Sequence, residues 1–242
     1  MVVRALIFDV DGTLAETEEL HRIAFNKTFA ERGLDWVWDR ELYRQLLTVT
    51  GGRERMEAYA DRIGAEGIDA AALHRRKTEF YTGMMTPGSV TLRAGVEDLL
   101  RRARSAGLDL AIGTTTSRAN VVGLISATLG PDALSWFRSV RTGEDTKRKK
   151  PDPEVYRLVL DDLGYDPEEC LVFEDSANGL RAALAAGIPT VVTPSIYTGE
   201  DGFTGADYVF RTLDEPYSIL NFAPDFAFRA VSADIRDLLF CG

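Results

Sequence analysis

Residues 6–21 read LIFDVDGTLAETEELH. An apolar run ends in Asp9 and Asp11, one valine apart, and is followed at once by Gly12-Thr13 and a cluster of acids. The run from Val2 to Val10 is short, nearly continuous in apolar residues and rich in β-branched ones. Such a run suits a strand buried on both faces, as in a parallel sheet. If the strand persists to Asp11, its period of two sends both carboxylates to one face. Two ionised carboxylates held that close repel each other unless a cation or a shared proton intervenes. A hard divalent cation such as Mg2+ takes oxygen ligands and suits the pair. The plainer alternative is an N-cap or turn pair, since Asp and Gly are common in turns.

Comparable runs recur at Leu108–Ile112, Cys170–Phe173, Thr190–Thr193 and Tyr208–Phe210, with helical patterns between most of them. Val96, Leu99, Leu100 and Ala103 follow helical spacing up to Gly107. Asp152-Pro153 opens a second helix whose apolar stripe is Tyr156, Val159, Leu160 and Leu163. A third runs from Ser176 to Gly187. Alternating strands and helices predict an open α/β parallel sheet. Residues 15–88 break the rhythm with four successive helical patterns, Thr17–Arg32, Asp39–Leu47, Arg53–Ile63 and Ala70–Met84, and no convincing strand. Placed directly after the first strand, they read as a helical cap over the strand ends. The expected division is a core of residues 1–14 and 89–242 with a cap of residues 15–88. The tail from about Leu213, aromatic between Ile219 and Phe228, shows no clear period.

The 242 residues are 45% apolar and 27% charged, with a net charge of −10. That balance argues against nucleic acid or an anionic membrane as partner, since both reward a basic face. Cys170 and Cys241 suggest no disulfide framework, and neither a leader nor a bilayer-length apolar run is legible. The expected setting is cytoplasmic, with a small molecule as partner and the chain acting as a monomer.

The other strand ends carry chemistry as well, where open α/β sheets bind ligands. AIGTTTSRAN places Thr114 and Thr115 ahead of a helix start, which suits phosphate and equally an ordinary helix cap. In KRKKPDPEVY, Lys150 is biased towards extended backbone by Pro151, while its three basic neighbours read as a solvated run. In LVFEDSANG, Glu174 and Asp175 end an apolar strand.

Taken in order, DVDGT, Thr114, Lys150 and the Glu174-Asp175 pair resemble the four motifs of the haloacid dehalogenase-type hydrolases. The resemblance covers nearly the whole chain apart from the tail, and it implies a Rossmann-like core with an inserted α-helical cap. It further implies that Asp9 attacks phosphorus to form an aspartyl-phosphate and that Asp11 protonates the leaving oxygen and then assists water. Thr114 and Lys150 would hold the transferring phosphoryl group. Mg2+ would be bound by Asp9, the backbone carbonyl of Asp11 and Asp175, with Glu174 contributing directly or through water. Gly12 lets the chain leave the strand sharply.

The cap narrows the resemblance. AETEELHRIAFN, YRQLLTVTGGRERM, TTTSRANV, KKPDPEVYRL and EDSANGLRAA are similar to the CbbY family, phosphatases for xylulose 1,5-bisphosphate associated with the Calvin cycle. Glu18 and His21 share a face of the first cap helix and, by this resemblance, face the sugar hydroxyls. Gly52 and Arg53 stand at a helix start where a second, distal phosphate would sit. Lys77 is a further candidate, Tyr43 and Arg44 weaker ones, and Arg118 departs from the family's pattern. Arg32, Arg40, Arg62 and Arg75 read as solvated surface. The alternatives are a β-phosphoglucomutase-like phosphomutase, a phosphatase of broader specificity, or a binding protein on a degenerate scaffold, which would lack one or more of these motif residues.

Overall fold

The computed structural model describes residues 3–214. Residues 1–2 and 215–242, and with them Cys241 and the aromatic stretch from Ile219 to Phe228, lie outside the described residues. Six parallel strands, β1 (Ala5–Phe8), β2 (Asp109–Gly113), β3 (Phe137–Arg141), β4 (Cys170–Glu174), β5 (Thr190–Val192) and β6 (Tyr208–Val209), stand in the order β3-β2-β1-β4-β5-β6. Four helices, α1 (Glu18–Glu31), α2 (Arg40–Leu46), α3 (Gly52–Ile63) and α4 (Ala70–Met84), intervene between β1 and the rest. The remaining helices, α5 (Val96–Ser105), α6 (Arg118–Leu129), α7 (Glu154–Leu163) and α8 (Ala177–Ala185), link the strands.

The β1 sequence explains its place. Ala5, Leu6, Ile7 and Phe8 are all fully buried, and the strand pairs with β2 on one side and β4 on the other. Leu6 and Phe8 pack with Leu99, Leu100, Val121 and Leu124 of α5 and α6, while Ala5 and Ile7 meet Val155, Val159 and Ala183 of α7 and α8. The period of two thus gives each helix layer its own half of the strand. Strand order reverses beside β1, between the branch to β2 and β3 and the branch to β4. In such sheets the crevice at the carboxyl ends of these strands is where ligands bind. Strand β3 escaped the sequence reading because it is an edge strand: FRSVR places Arg138 and Ser139 side by side in a short run, with no apolar period, and Arg138 is exposed.

Helices α1 to α4 enclose an apolar cluster of their own, built on Phe25, Phe29, Trp36, Trp38, Tyr43 and Met56. Each such side chain, buried instead of exposed, contributes on the order of 2–3 kcal/mol. Tyr197, from the loop after β5, enters this cluster and donates to Glu19 at 2.5 Å. Asn178 of α8 donates to Thr48 O at 3.2 Å and Thr50 Oγ1 at 3.0 Å, and Arg44 pairs with Glu200 at 3.2 Å. These contacts seat the helical layer over the strand ends. Among the described residues, no helix is long and apolar enough to cross a membrane.

Candidate active site

β1 ends at Phe8, one residue short of Asp9, so the strand expected to carry Asp9 and Asp11 to a single face does not reach them. Thr13 and Leu14 both donate to Val10 O, at 3.2 and 2.9 Å, and Gly12 adopts φ +79°. That left-handed value is open to glycine and costly for other residues. The chain curls into a tight turn, and the two carboxylates take different partners while both line one cavity. Asp9 Oδ1 accepts from Lys150 Nζ at 2.6 Å, whereas Asp11 Oδ1 accepts from Thr17 Oγ1 at 2.6 Å and lies 2.9 Å from His21 Nε2.

Around Asp9 gather the ends of β2 and β4 and the loop that leads into α7. Lys150 is buried, and its ammonium also donates to Glu174 Oε1 at 2.7 Å and Gly113 O at 2.9 Å. The Tyr156 hydroxyl donates to the same Glu174 oxygen, while Glu174 Oε2 accepts from the Asp175 N–H at 3.2 Å. A Cβ at residue 179 would overlap the Glu174 carboxylate, which accounts for the glycine in EDSANG. Thr114 is buried at the end of β2, and Thr115 and Ser117 follow it on the cavity wall ahead of α6.

Asp9, Glu174 and Asp175 are all buried, with one oxygen of each within 4.8 Å of the others. Against these three carboxylates stands one ammonium, Lys150. Burial pushes Asp9 up to about 7, against the pull of Lys150 and with the repulsion of Glu174 added. Asp175 is held well above the ordinary carboxylate range by burial, then by Glu174 and Asp9. Groups in that position either keep a proton or gain a cation. An all-oxygen, carboxylate-rich donor set fits a hard divalent ion, not a soft one. The residues present therefore fit the cation that the sequence motifs imply.

A cavity of about 460 Å³ opens above Asp9, lined on the cap side by Glu18, His21, Arg55, His74 and Lys77. His21 stacks on Tyr81, with centroids 4.0 Å apart, and its Nδ1 contacts Lys77 Nζ. A proton on Nε2 shared with Asp11, and Nδ1 accepting from Lys77, satisfies all three groups. Burial lowers Lys77 to about 7, against the attraction of Asp11 and Glu18. Burial also acts to raise Asp11, but His21, the Thr17 hydroxyl and Lys77 together hold it below the usual carboxylate range. Tyr43 donates to Glu18 at 2.6 Å and accepts from Arg55 at 3.0 Å. Tyr43 is thus a support for Glu18, behind the cavity wall.

Arg53 lies outside this cavity. About half exposed and paired with Glu57 at 3.2 Å, it lines a second cavity of about 300 Å³ with Lys147, Lys149 and His74. The two cavities share Gly51, Gly52, His74, Thr115 and Ser117, so they lie side by side along a common wall. Burial lowers His74 to about 4, with Lys77, His21, Arg53 and Lys149 acting in the same direction. Arg44 lines the first cavity beside Glu200, and Arg118 donates to Val140 O at 3.2 Å on the core surface. Arg32, Arg40, Arg62 and Arg75 are exposed, as expected. Sequence reasoning missed Arg55, Tyr156 and Thr17. Tyr156 reads as one more apolar position of α7, and Arg55 as one more charge on α3, because neither carries a local sign of its buried partner.

Fold and site together define a haloacid dehalogenase-like hydrolase, and the family model of that description matches residues 3–187. Protein CbbY of Rhodobacter capsulatus is 51% identical over 210 residues, covering 86% of this chain and 92% of that protein. The crystal structure of CbbY from Rhodobacter sphaeroides in complex with phosphate superposes with a TM-score of 0.85 at 46% identity, over 88% of this chain and 96% of that one. A mutant of the same protein in complex with xylulose-(1,5)bisphosphate gives a TM-score of 0.85 at 45% identity over the same shares. This chain belongs to the CbbY proteins.

Proposed function

We propose that the chain is a Mg2+-dependent sugar-phosphate phosphatase that acts through an aspartyl-phosphate and converts xylulose 1,5-bisphosphate to xylulose 5-phosphate. The observation that carries the reading is Asp9, buried at the floor of a cleft with Lys150 on Oδ1, in a chain whose relative has been crystallised with that bisphosphate. Asp9, Asp175 and the Asp11 backbone carbonyl would hold the cation, with Glu174 behind them. When bound, the cation offsets charge on the transferring phosphoryl oxygens and keeps Asp9 ionised.

In the first half-reaction an oxygen of Asp9 bonds to phosphorus and the bond to the sugar oxygen breaks, with a proton passing from Asp11 to that oxygen. In the second, water attacks phosphorus, its proton goes to Asp11, and Asp9 and inorganic phosphate are released. Thr114 and Lys150 hold the phosphoryl oxygens throughout. Thr17 and His21 both favour the ionised form of Asp11, so acid catalysis requires it to leave these donors when substrate fills the cleft. Glu18, His21 and Lys77 stand where the sugar hydroxyls would be read, and Gly52, Thr115 and Arg53 line the way to the distal phosphate.

The test is phosphate release from a panel of pentose and hexose mono- and bisphosphates, with Mg2+ and then with excess EDTA. The expected result is a preference for a ketopentose bisphosphate and loss of turnover in EDTA. No turnover of any sugar phosphate would remove the assignment. A narrower expectation concerns the second cavity: Arg53→Ala should raise KM for a bisphosphate by roughly tenfold, the loss of one charge-assisted contact of about 1.5 kcal/mol or more, and much less for a small monoester. Equal effects on both substrates would return Arg53 to a structural role with Glu57.

A further inference from the structure

The chain leaves β1 for α1 through residues 9–17 and returns from α4 to α5 through residues 85–95, and one arginine grips both passages. Arg93 lies in the return passage with its side chain only 10% exposed. Its backbone N–H donates to Leu14 O, on the outgoing passage, at 2.8 Å. Nη1 donates to Gly12 O, to Thr193 O at 2.6 Å and to Thr193 Oγ1 at 3.2 Å. Nη2 donates to Pro194 O at 2.8 Å and Arg211 O at 3.4 Å, and Nε lies 3.4 Å from Glu16 Oε1. The guanidinium fork is rigid and carries five donors, so a residue that spends them on backbone carbonyls fixes where those carbonyls lie.

What these carbonyls share is Asp175. A Cβ at residue 12 would collide with Asp175 Oδ2, so that carboxylate lies directly against the Gly12 backbone. The same Cβ would come within 3.1 Å of Ser195 Cβ, which places the segment after Pro194 at the same spot. From that segment Thr198 Oγ1 donates to Asp175 O at 2.7 Å and lies 3.3 Å from Asp175 Oδ2. Arg93 therefore clamps the two walls between which Asp175 stands, and it does so from the connection to the cap.

We propose that Arg93 is a positioning residue that sets the Asp175 carboxylate for the cation and ties that setting to the cap linkers. The proposal rests on the reading of Asp175 as a cation ligand. It makes a displacement of the cap felt at the cation site without any contact between cap and cation. Glycine at residue 12 is then required twice, for its left-handed turn and for the space that Asp175 fills.

The test is Mg2+ binding to the full chain, measured by isothermal titration calorimetry with no substrate present. Arg93→Met should weaken Mg2+ binding by about tenfold to a hundredfold, the range for groups that orient metal ligands. Arg93→Lys should recover part of the loss, because an ammonium reaches some of the carbonyls but not all. Thr198→Val should weaken binding too, and the double variant should be no worse than the poorer single one, because both act on the same wall. If Arg93→Met does not fold, Arg93→Lys carries the same cycle. Unchanged Mg2+ affinity in a folded Arg93 variant, or losses that multiply in the double variant, would overturn the proposal. A wild-type chain that binds no Mg2+ would remove the cation reading of Asp175 and Arg93 with it, whereas normal wild-type binding with unaffected variants removes Arg93 alone.

Discussion

Asp9→Asn should release no measurable phosphate from any substrate while leaving the fold intact. An amide is a poor nucleophile and offers the cation a neutral oxygen, so the covalent route closes altogether. A loss of at least roughly ten-thousand-fold in kcat/KM is expected, about 5.5 kcal/mol of transition-state stabilisation. Stability should move the other way. Asp9 is one of three buried carboxylates facing a single ammonium, and burial with the repulsion of Glu174 outweighs Lys150 to push it up to about 7. Removing that charge relieves the repulsion, so without Mg2+ the variant should melt no lower than the wild type at pH 8. Retained turnover in a folded Asp9→Asn chain would exclude Asp9 as nucleophile, and a large drop in Tm would mean that the Asp9–Lys150 pair stabilises the apoprotein.

Lys150→Met should cost both activity and stability. The ammonium is buried and bridges Asp9 and Glu174 at 2.6 and 2.7 Å. Its removal strands two buried carboxylates, and breaking a buried pair in this way typically costs about 3–5 kcal/mol. The sign with pH follows from linkage. Without Lys150, the folded-state value of Asp9 rises further above the value of about 4 that the unfolded chain has. The folded variant then holds more protons than the unfolded chain between those two values, so its stability falls as pH rises. The difference in Tm between wild type and variant should therefore be larger at pH 8 than at pH 5. A pH-independent difference would mean that neither carboxylate is stranded. In catalysis, loss of a cation at the phosphoryl oxygens should lower kcat by roughly a hundredfold or more.

Much of this site was legible before any coordinates. The stations at residues 9–11, 114 and 174–175 follow directly on β1, β2 and β4 because a strand buried on both faces is nearly continuous in apolar residues, and its first polar residue marks where it emerges; Lys150 instead lies nine residues beyond β3, in the segment before α7. The four helices that follow β1 were legible for a related reason, since helical spacing and glycine stops are local. Two details were not. β3 carries an edge pattern that mixes Arg138 and Ser139 into a short run, so no periodicity betrays it. The second was the backbone that carries Asp9 and Asp11. Both line one cavity, but they do so from a turn beyond β1 and not from a continued strand, and Asp11 pairs with Thr17 and His21.

The partners of buried polar groups were less legible still. Tyr156 on Glu174, Arg55 on Tyr43 and Arg93 on Gly12 O and Thr193 O join positions far apart in the chain, and nothing in the local pattern of either partner distinguishes such a residue from an ordinary apolar or surface one. By itself the sequence determined which residue types the site can draw on, in which order, and that a helical segment follows the first of them. Only the tertiary structure decided that Lys150 bridges Asp9 and Glu174, that Arg53 faces a second cavity and not the first, and that one arginine holds both linkers of the helical segment beside Asp175. The physical reason is range. Hydrophobic period and turn chemistry act over a few residues, whereas a buried charge is compensated by whatever the packed fold brings within about 3 Å.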